Sequence, residues 1–162
     1  MATGKVLVVD DEEIVCLSCQ RILTEEGYEV HTRLRGKEAM KLLSEEPFDL
    51  AIVDLKMPEM DGQELLLAIK RDYPHLPVIM ITGYSTVESA VEAMKSGAFD
   101  YIPKPFTPDQ MSVVVKKALD SRSMMLENIY LRGELQAKYR FENIIGNSKK
   151  MQEVYRLIAK VA

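Results

Sequence analysis

The sequence predicts an α/β protein: a doubly wound, five-stranded parallel sheet in the order 2-1-3-4-5, with a long helix at its C-terminal side. Three observations predict it. Short apolar runs alternate with amphipathic stretches of helical length, the pattern of right-handed βαβ units on a parallel sheet. Three of those runs, VLVV at 6–9, LAIV at 50–53 and VIMI at 78–81, are apolar throughout, as strands covered by helices on both faces must be. Four runs end in residues that can act on a phosphoryl group: Asp10 and Asp11, Asp54, Thr82 and, after a short YIP segment, Lys104. Strand C-termini in an open parallel sheet share one edge, and ligands bind in the crevice outside it.

Residues 5–9 read as the first strand, 13–26 as a helix and 28–33 as the second strand. A helix over 36–45 leads to a strand over 49–53, a helix over 61–72 and a strand over 77–81. A helix over 85–96 and a strand over 99–103 follow, and a last helix starts near 108. The punctuation agrees. Gly27 and Gly97 stand where helix C′ residues belong. Ser85-Thr86-Val87-Glu88 reads as a capping box, and Thr107-Pro108-Asp109-Gln110 as another with proline at the first helical position.

Strand order follows from the second strand. Tyr28-Glu29-Val30-His31-Thr32-Arg33 alternates polar and apolar residues, which suits an edge. The order 2-1-3-4-5 puts it there and places the topological switch between strands one and three. Asp10, Asp11 and Asp54 sit on those two strands.

Beyond 108 the pattern changes. Apolar positions continue through Met111, Val115, Ala118, Met125 and Ile129 toward Tyr139, with one glycine, Gly133. A helix over 108–139 would be roughly 48 Å long at 1.5 Å per residue. Its second half must bury its apolar residues on another surface or fray. Residues 141–146 read as an irregular link. Residues 148–161 read as an amphipathic helix with Met151, Val154, Tyr155, Ile158 and Val161 on one face. An apolar face with nothing after it to cover it reads as part of a longer protein. The predicted division is a domain over 1–120, a helical, coiled-coil linker over 121–140 and the start of a further domain over 141–162.

Composition narrows the classes. A hydrophobic fraction of 47% supports a core, and a net charge of -4 gives no ground for direct DNA binding by this segment. No apolar run approaches the roughly 18 residues of a membrane span. Lys5 leads straight into a strand with no signal-peptide pattern, so a soluble, cytoplasmic protein is expected. The two cysteines, Cys16 and Cys19, are spaced C-x-x-C. A redox motif would sit at a helix N-terminus, where a thiolate is stabilised. Here the pair falls inside the first helix, beside Val15, Ile22 and Leu23, and reads as core.

Clustered carboxylates repel one another and raise their own pKa values. A hard divalent cation relieves this, and Mg²⁺ favours one or two carboxylates, water and phosphate oxygens. Asp11 and Asp54 read as direct ligands and Asp10 as acting through water. A carboxylate can also be a nucleophile and form an aspartyl phosphate. Lys104 can neutralise phosphoryl charge, the Thr82 hydroxyl can donate to a phosphoryl oxygen, and Gly83 leaves room for the group.

Residues 4–120 resemble the receiver domain of bacterial two-component response regulators, which has a flavodoxin-like fold. VLVVDDE at 6–12, VDLKMPEMDG at 53–62, ITG at 81–83 and YIPKPF at 101–106 stand at that family's positions and in its order. The resemblance implies that Asp54 is the phosphoacceptor, charged by a sensor histidine kinase. It implies Mg²⁺ at Asp10, Asp11, Asp54 and the Lys56 backbone carbonyl. It makes Thr82 and Tyr101 a switch pair, Lys104 the phosphate ligand, and Lys56 and Tyr84 the side chains that tune dephosphorylation. It also implies a cis Lys104–Pro105 peptide. FENIIGNSKKMQEVYRLIAKVA at 141–162 resembles the opening of the AAA+ ATPase domain of NtrC-like, sigma-54-dependent activators. No G-x-x-x-x-G-K-[ST] occurs in the chain, so it is not expected to hydrolyse ATP in that family's manner.

Three other readings compete. A haloacid-dehalogenase-like phosphatase also uses an Asp nucleophile, Mg²⁺ and Lys, but needs an acid/base Asp two residues later, where this chain has Lys56. A thiol oxidoreductase lacks its motif context. A free-standing receiver acting by docking to a partner would end near 120. The expectation is therefore a receiver that catalyses only its own phosphorylation and dephosphorylation. It would form a homodimer through its linker helix and control a transcription activator that works with DNA and sigma-54 RNA polymerase.

Overall fold

Among the described residues five strands and five helices alternate: β1 (Lys5–Val9), α1 (Glu13–Glu25), β2 (Glu29–Arg33), α2 (Gly36–Glu45), β3 (Leu50–Asp54), α3 (Gly62–Asp72), β4 (Val78–Thr82), α4 (Val87–Lys95), β5 (Asp100–Pro103) and α5 (Pro108–Ile145). The structure, a computed structural model, describes the backbone of residues 4–83 and 87–145 and the side chains of 4–83 and 88–138. The strands form one parallel sheet in the predicted order β2-β1-β3-β4-β5. β1 is central: Val6 to Val9 pair with Val30 to Arg33 on one side and with Leu50 to Val53 on the other.

Successive strand residues point to opposite faces, so each continuous apolar run feeds two cores. Leu7, Val9, Ala51, Val53, Val78 and Met80 pack with Leu42 of α2, Leu65 and Ile69 of α3 and Ala93 of α4. Val6, Val8, Leu50, Ile52, Ile79 and Ile81 pack with Cys16, Cys19 and Leu23 of α1 and Met111, Val115 and Ala118 of α5. Each fully buried Leu or Ile stabilises the fold by about 1.5–3 kcal/mol relative to exposure. Both edge strands suit their places. β2 keeps a polar, half-buried pattern, and β5 is four residues long and ends in Pro103.

The helix ends follow the predicted signals. Gly27 and Gly97 have φ of 97° and 107°, a region other residues adopt at a cost. Each closes its helix in the same way. Tyr28 N–H donates to Leu23 O at 3.2 Å and Ala98 N–H donates to Ala93 O at 3.0 Å. The box opening α5 is reciprocal: Gln110 N–H donates to Thr107 Oγ1 at 3.1 Å, and Thr107 N–H donates to Gln110 Oε1 at 2.9 Å. The expected cap at Ser85 and helix over 148–161 fall outside the described residues.

The tail corrects one expectation. Residues 141–145, read as an irregular link, are the last five residues of α5. Phe141-Glu142-Asn143-Ile144-Ile145 contains neither glycine nor proline, so nothing breaks the i→i−4 ladder before Gly146. The chain divides into two compact units, Met1–Arg122 and Ser123–Ala162. The first contains the whole sheet. The described residues of the second belong to α5. Among the described residues, no helix is long and apolar enough to cross a membrane.

Candidate functional site

The ends of β1 and β3 and the segment after β5 converge. Asp10 directly follows β1 and is fully buried; its N–H donates to Arg33 O at 3.2 Å. Asp54 is the last residue of β3, pairs in register with Ile81 and is 3% exposed. Lys104 follows β5, where its N–H donates to Thr82 O at 2.8 Å. The Lys104–Pro105 peptide is cis, as the resemblance implies. The Lys104 ammonium turns back to the strand ends. Nζ lies 2.9 Å from Asp10 Oδ2, 3.3 Å from Glu12 Oε1 and 3.4 Å from Asp54 Oδ1.

The turn after β3 holds the nucleophile candidate in place. Gly62 N–H donates to Leu55 O at 2.9 Å. A Cβ added at Gly62 would lie 2.1 Å from Asp54 O and 2.6 Å from Leu55 Cα, so no other residue fits without moving the backbone. Next to it, Asp61 caps α3 by accepting from Glu64 N–H at 2.8 Å.

The electrostatics follow from burial. Desolvation, with repulsion from Asp10, pushes the Asp54 carboxyl up to about 7; Lys104 and the Lys56 N–H offset part of this. Burial also raises Asp10, against the opposing pull of the Glu12 N–H, which donates to Asp10 Oδ1 at 2.8 Å, and of Lys104. Burial alone would lower the Lys104 ammonium, but Asp10, Asp54 and Glu12 outweigh it and hold it above the ordinary lysine range. Lys104 therefore stays charged at any physiological pH.

Carboxylate oxygens of Asp10, Glu12 and Asp54 lie within 4.8 Å of one another. Among the described residues Asp10 Oδ2 is buried with no aligned hydrogen bond, 2.9 Å from the Lys104 ammonium. The two buried carboxylates of this cluster, Asp10 and Asp54, are hard oxygen donors, one with an unsatisfied oxygen, and fit a divalent cation such as Mg²⁺. Asp11 is exposed, and its carboxylate is not in that cluster. Glu12 joins the cluster instead, a residue that the sequence reading passed over although it stands in the same VLVVDDE run.

Residues 6–116 match the response regulator receiver domain family. The chain belongs to that family. This receiver is similar along 99% of its length to regulatory protein AtoC of Escherichia coli (strain K12), at 35% identity over 161 residues and 35% of that protein. It is 36% identical over 162 residues to the DNA-binding transcriptional regulator NtrC of Proteus hauseri, covering 100% of the chain and 34% of NtrC. The chain thus spans about a third of the length of these curated relatives. Among solved structures, a CheY-like response regulator receiver domain protein from Methanospirillum hungatei JF-1 superposes with a TM-score of 0.73 at 35% identity. That match covers 76% of this chain and 99% of the other.

The remaining residues of the receiver signature are spread around the cluster. Thr82 ends β4 and is buried, with 4% exposure. Gly83 is exposed, and a Cβ there would meet nothing within 4 Å among the described residues. Lys56 is exposed, while its N–H serves Asp54. Tyr101 is half-buried in β5 and lines an open cavity of about 400 Å³ with Val113 and Val114 of α5. Tyr84 lies outside the described residues. The cysteines are core residues: burial pushes the Cys16 thiol up to about 11 and the Cys19 thiol to about 12, so neither is a thiolate near neutrality.

Proposed function

We propose that Asp54 is the phosphoacceptor of a two-component system, charged by the phosphohistidine of a sensor histidine kinase. The observation that carries this is the charged Lys104 ammonium 3.4 Å from the buried Asp54 carboxylate at the end of β3. In the transfer, an Asp54 carboxylate oxygen attacks phosphorus and a P–O bond forms. The P–N bond breaks, its electron pair stays on the imidazole nitrogen, and that nitrogen takes a proton from water. Lys104 donates to the phosphoryl oxygens and the Thr82 hydroxyl donates to another, which is positioning and charge neutralisation rather than acid–base work. Asp10, Asp11 and Asp54, with the Lys56 carbonyl, would hold Mg²⁺. Bound there, the ion supplies further neutralisation of phosphoryl charge.

In this reading the chain is not an enzyme toward any other substrate; it catalyses its own phosphorylation and dephosphorylation, with Lys56 and Tyr84 tuning the latter. Thr82 and Tyr101 pass the change to β5 and α5. The longer, cytoplasmic protein is a sigma-54-dependent transcription activator, and the homodimer formed through α5 is where phosphorylation acts on it. The similarity to AtoC and NtrC along nearly the whole chain supports this. Incubation with acetyl phosphate and Mg²⁺ should add one phosphoryl group by intact mass, and Asp54→Asn should abolish it. Labelling of the Asn variant at the wild-type level would overturn the assignment. Thr82→Ala should keep phosphorylation and lose its effect on assembly.

A further inference from the structure

We propose that Glu12 gates this receiver's acceptance of the phosphoryl group, by holding one N–H of Lys104 until the phosphoryl displaces it. This rests on Asp54 being the phosphoacceptor. An ammonium has three N–H donors. Three carboxylates stand around Lys104 Nζ, at 2.9 Å (Asp10), 3.3 Å (Glu12) and 3.4 Å (Asp54). Among the described residues only Glu12 takes an aligned hydrogen bond from this ammonium. A phosphoryl group arriving on Asp54 brings new anionic oxygens that compete for the ammonium, so the contact that costs least to lose yields. Asp10 is the wrong one. Its side chain is 0% exposed, and without the ammonium its Oδ2 would be a buried, unpaired charge. Asp54 is the residue being modified. Glu12 is 59% exposed and can turn into water at little cost.

The helix that Glu12 opens gives an independent observation. Glu12 is the N-cap of α1 and has an extended backbone, with φ -93° and ψ 110°, yet its side chain accepts nothing from the first turn. At the same position of α3, Asp61 does accept, from Glu64 N–H. The Glu12 carboxylate is spent on Lys104, through a 3.3 Å hydrogen bond, and α1 is left without a side-chain cap. Glu12 is therefore a positioning residue. It holds the ammonium over Asp54 in the unmodified state, and it must let go before the ammonium can serve the phosphoryl oxygens.

The test uses the whole chain and two variants. Glu12→Gln keeps the size and removes the charge. Glu12→Asp keeps the charge and loses the methylene needed to reach Lys104. Three quantities are measured: the apparent affinity for beryllofluoride at saturating Mg²⁺, the rate of Asp54 phosphorylation by phosphoramidate, and the Mg²⁺ affinity by calorimetry. Both variants should bind beryllofluoride more tightly and be labelled faster by about two- to fivefold, the size of an exposed ion pair. Mg²⁺ affinity should be unchanged. An Asp variant that behaves as wild type while Gln accelerates would reduce the effect to general charge repulsion and overturn the gate. So would a fall in Mg²⁺ affinity that accounts for the change in rate, which would make Glu12 a metal ligand. A wild-type chain that takes no label would overturn the Asp54 assignment and the gate with it. A labelled wild type with unchanged variants would overturn the gate alone.

Discussion

A carboxyl held at about 7 in the folded chain has a consequence for stability as well as for chemistry. In the unfolded chain the same group titrates at about 3.9. Between those values the folded state binds a proton that the unfolded state has lost, so stability falls as pH rises through this window, and the whole penalty is present above about 7. Asp54→Asn removes the group and the penalty. In EDTA, the Asn variant should therefore melt above the wild type, and the gap should be wider at pH 8 than at pH 5 by a few degrees, since about 1 kcal/mol moves Tm by that much in a domain of this size. Equal gaps at the two pH values would show that Asp54 is not the group that titrates. The identity of that group was readable from the sequence, because an acid at the end of a buried parallel strand has only the crevice to face. Which residue of Asp10-Asp11-Glu12 turns inward was not readable. Asp10 continues the β1 ladder through its N–H and is buried by it, whereas Asp11 and Glu12 lie in the turn, where side-chain direction depends on backbone angles that spacing does not reveal. Lys104 decides the matter for Glu12, 92 positions away.

The strand-to-helix turn after β3 sets the position of Asp54, and its tolerance can be measured one glycine at a time. Gly62→Ala would drive a Cβ to 2.1 Å from Asp54 O, against backbone rather than a yielding side chain. Overpacking of this kind typically costs about 1–3 kcal/mol, and here the backbone contact puts the cost at the upper end. Gly83→Ala meets nothing within 4 Å among the described residues and should leave stability within about 0.5 kcal/mol. Urea denaturation compares the two through the midpoint at constant slope. A Gly62→Ala midpoint equal to that of Gly83→Ala would show that the turn relaxes freely. The elements themselves were readable for a plain reason. Strands buried on both faces must be apolar throughout, edge strands need not be, and glycine or a Thr-x-x-Gln box marks where helices stop and start. The stretch 141–145 was misread because its asparagine and its nearness to Gly146 look like a loop, while the helix is already formed and needs only an absence of breakers to continue.

The long helix raises the question of what covers its second half. Met124, Met125, Leu126, Ile129, Tyr130, Leu131 and Leu135 are all exposed in the single chain. Helices that keep such residues in water gain nothing from them, since helical stability in proteins comes mainly from a packed apolar face. Gly133 subtracts about 1 kcal/mol more relative to alanine, and among the described residues a Cβ there would touch nothing. A second copy of the same helix covers one face of the set with a two-fold contact. Met124, Asn128, Leu131 and Leu135 are spaced 4, 3 and 4 apart, as a coiled-coil seam requires, with Asn128 setting register at some cost in stability. Leu126 and Ile129 offer the start of a second seam, rotated around the same helix, whereas Leu119, one heptad before Leu126, already packs against the core. Two competing seams on one helix are what a device with two dimer arrangements needs, one for each phosphorylation state, provided that they differ by only a few kcal/mol. Sedimentation at micromolar concentration should show a dimer. Leu131→Asp with Leu135→Asp should reduce it to a monomer while leaving Asp54 phosphorylation intact, because both residues lie in the unit that begins at Ser123, outside the one that contains the sheet. Beryllofluoride with Mg²⁺ should change the wild-type dimer's sedimentation or its dissociation constant and leave the double variant unaffected. A chain that is monomeric with and without beryllofluoride would remove the dimer from the mechanism. A dimer that survives both aspartates would place the interface elsewhere.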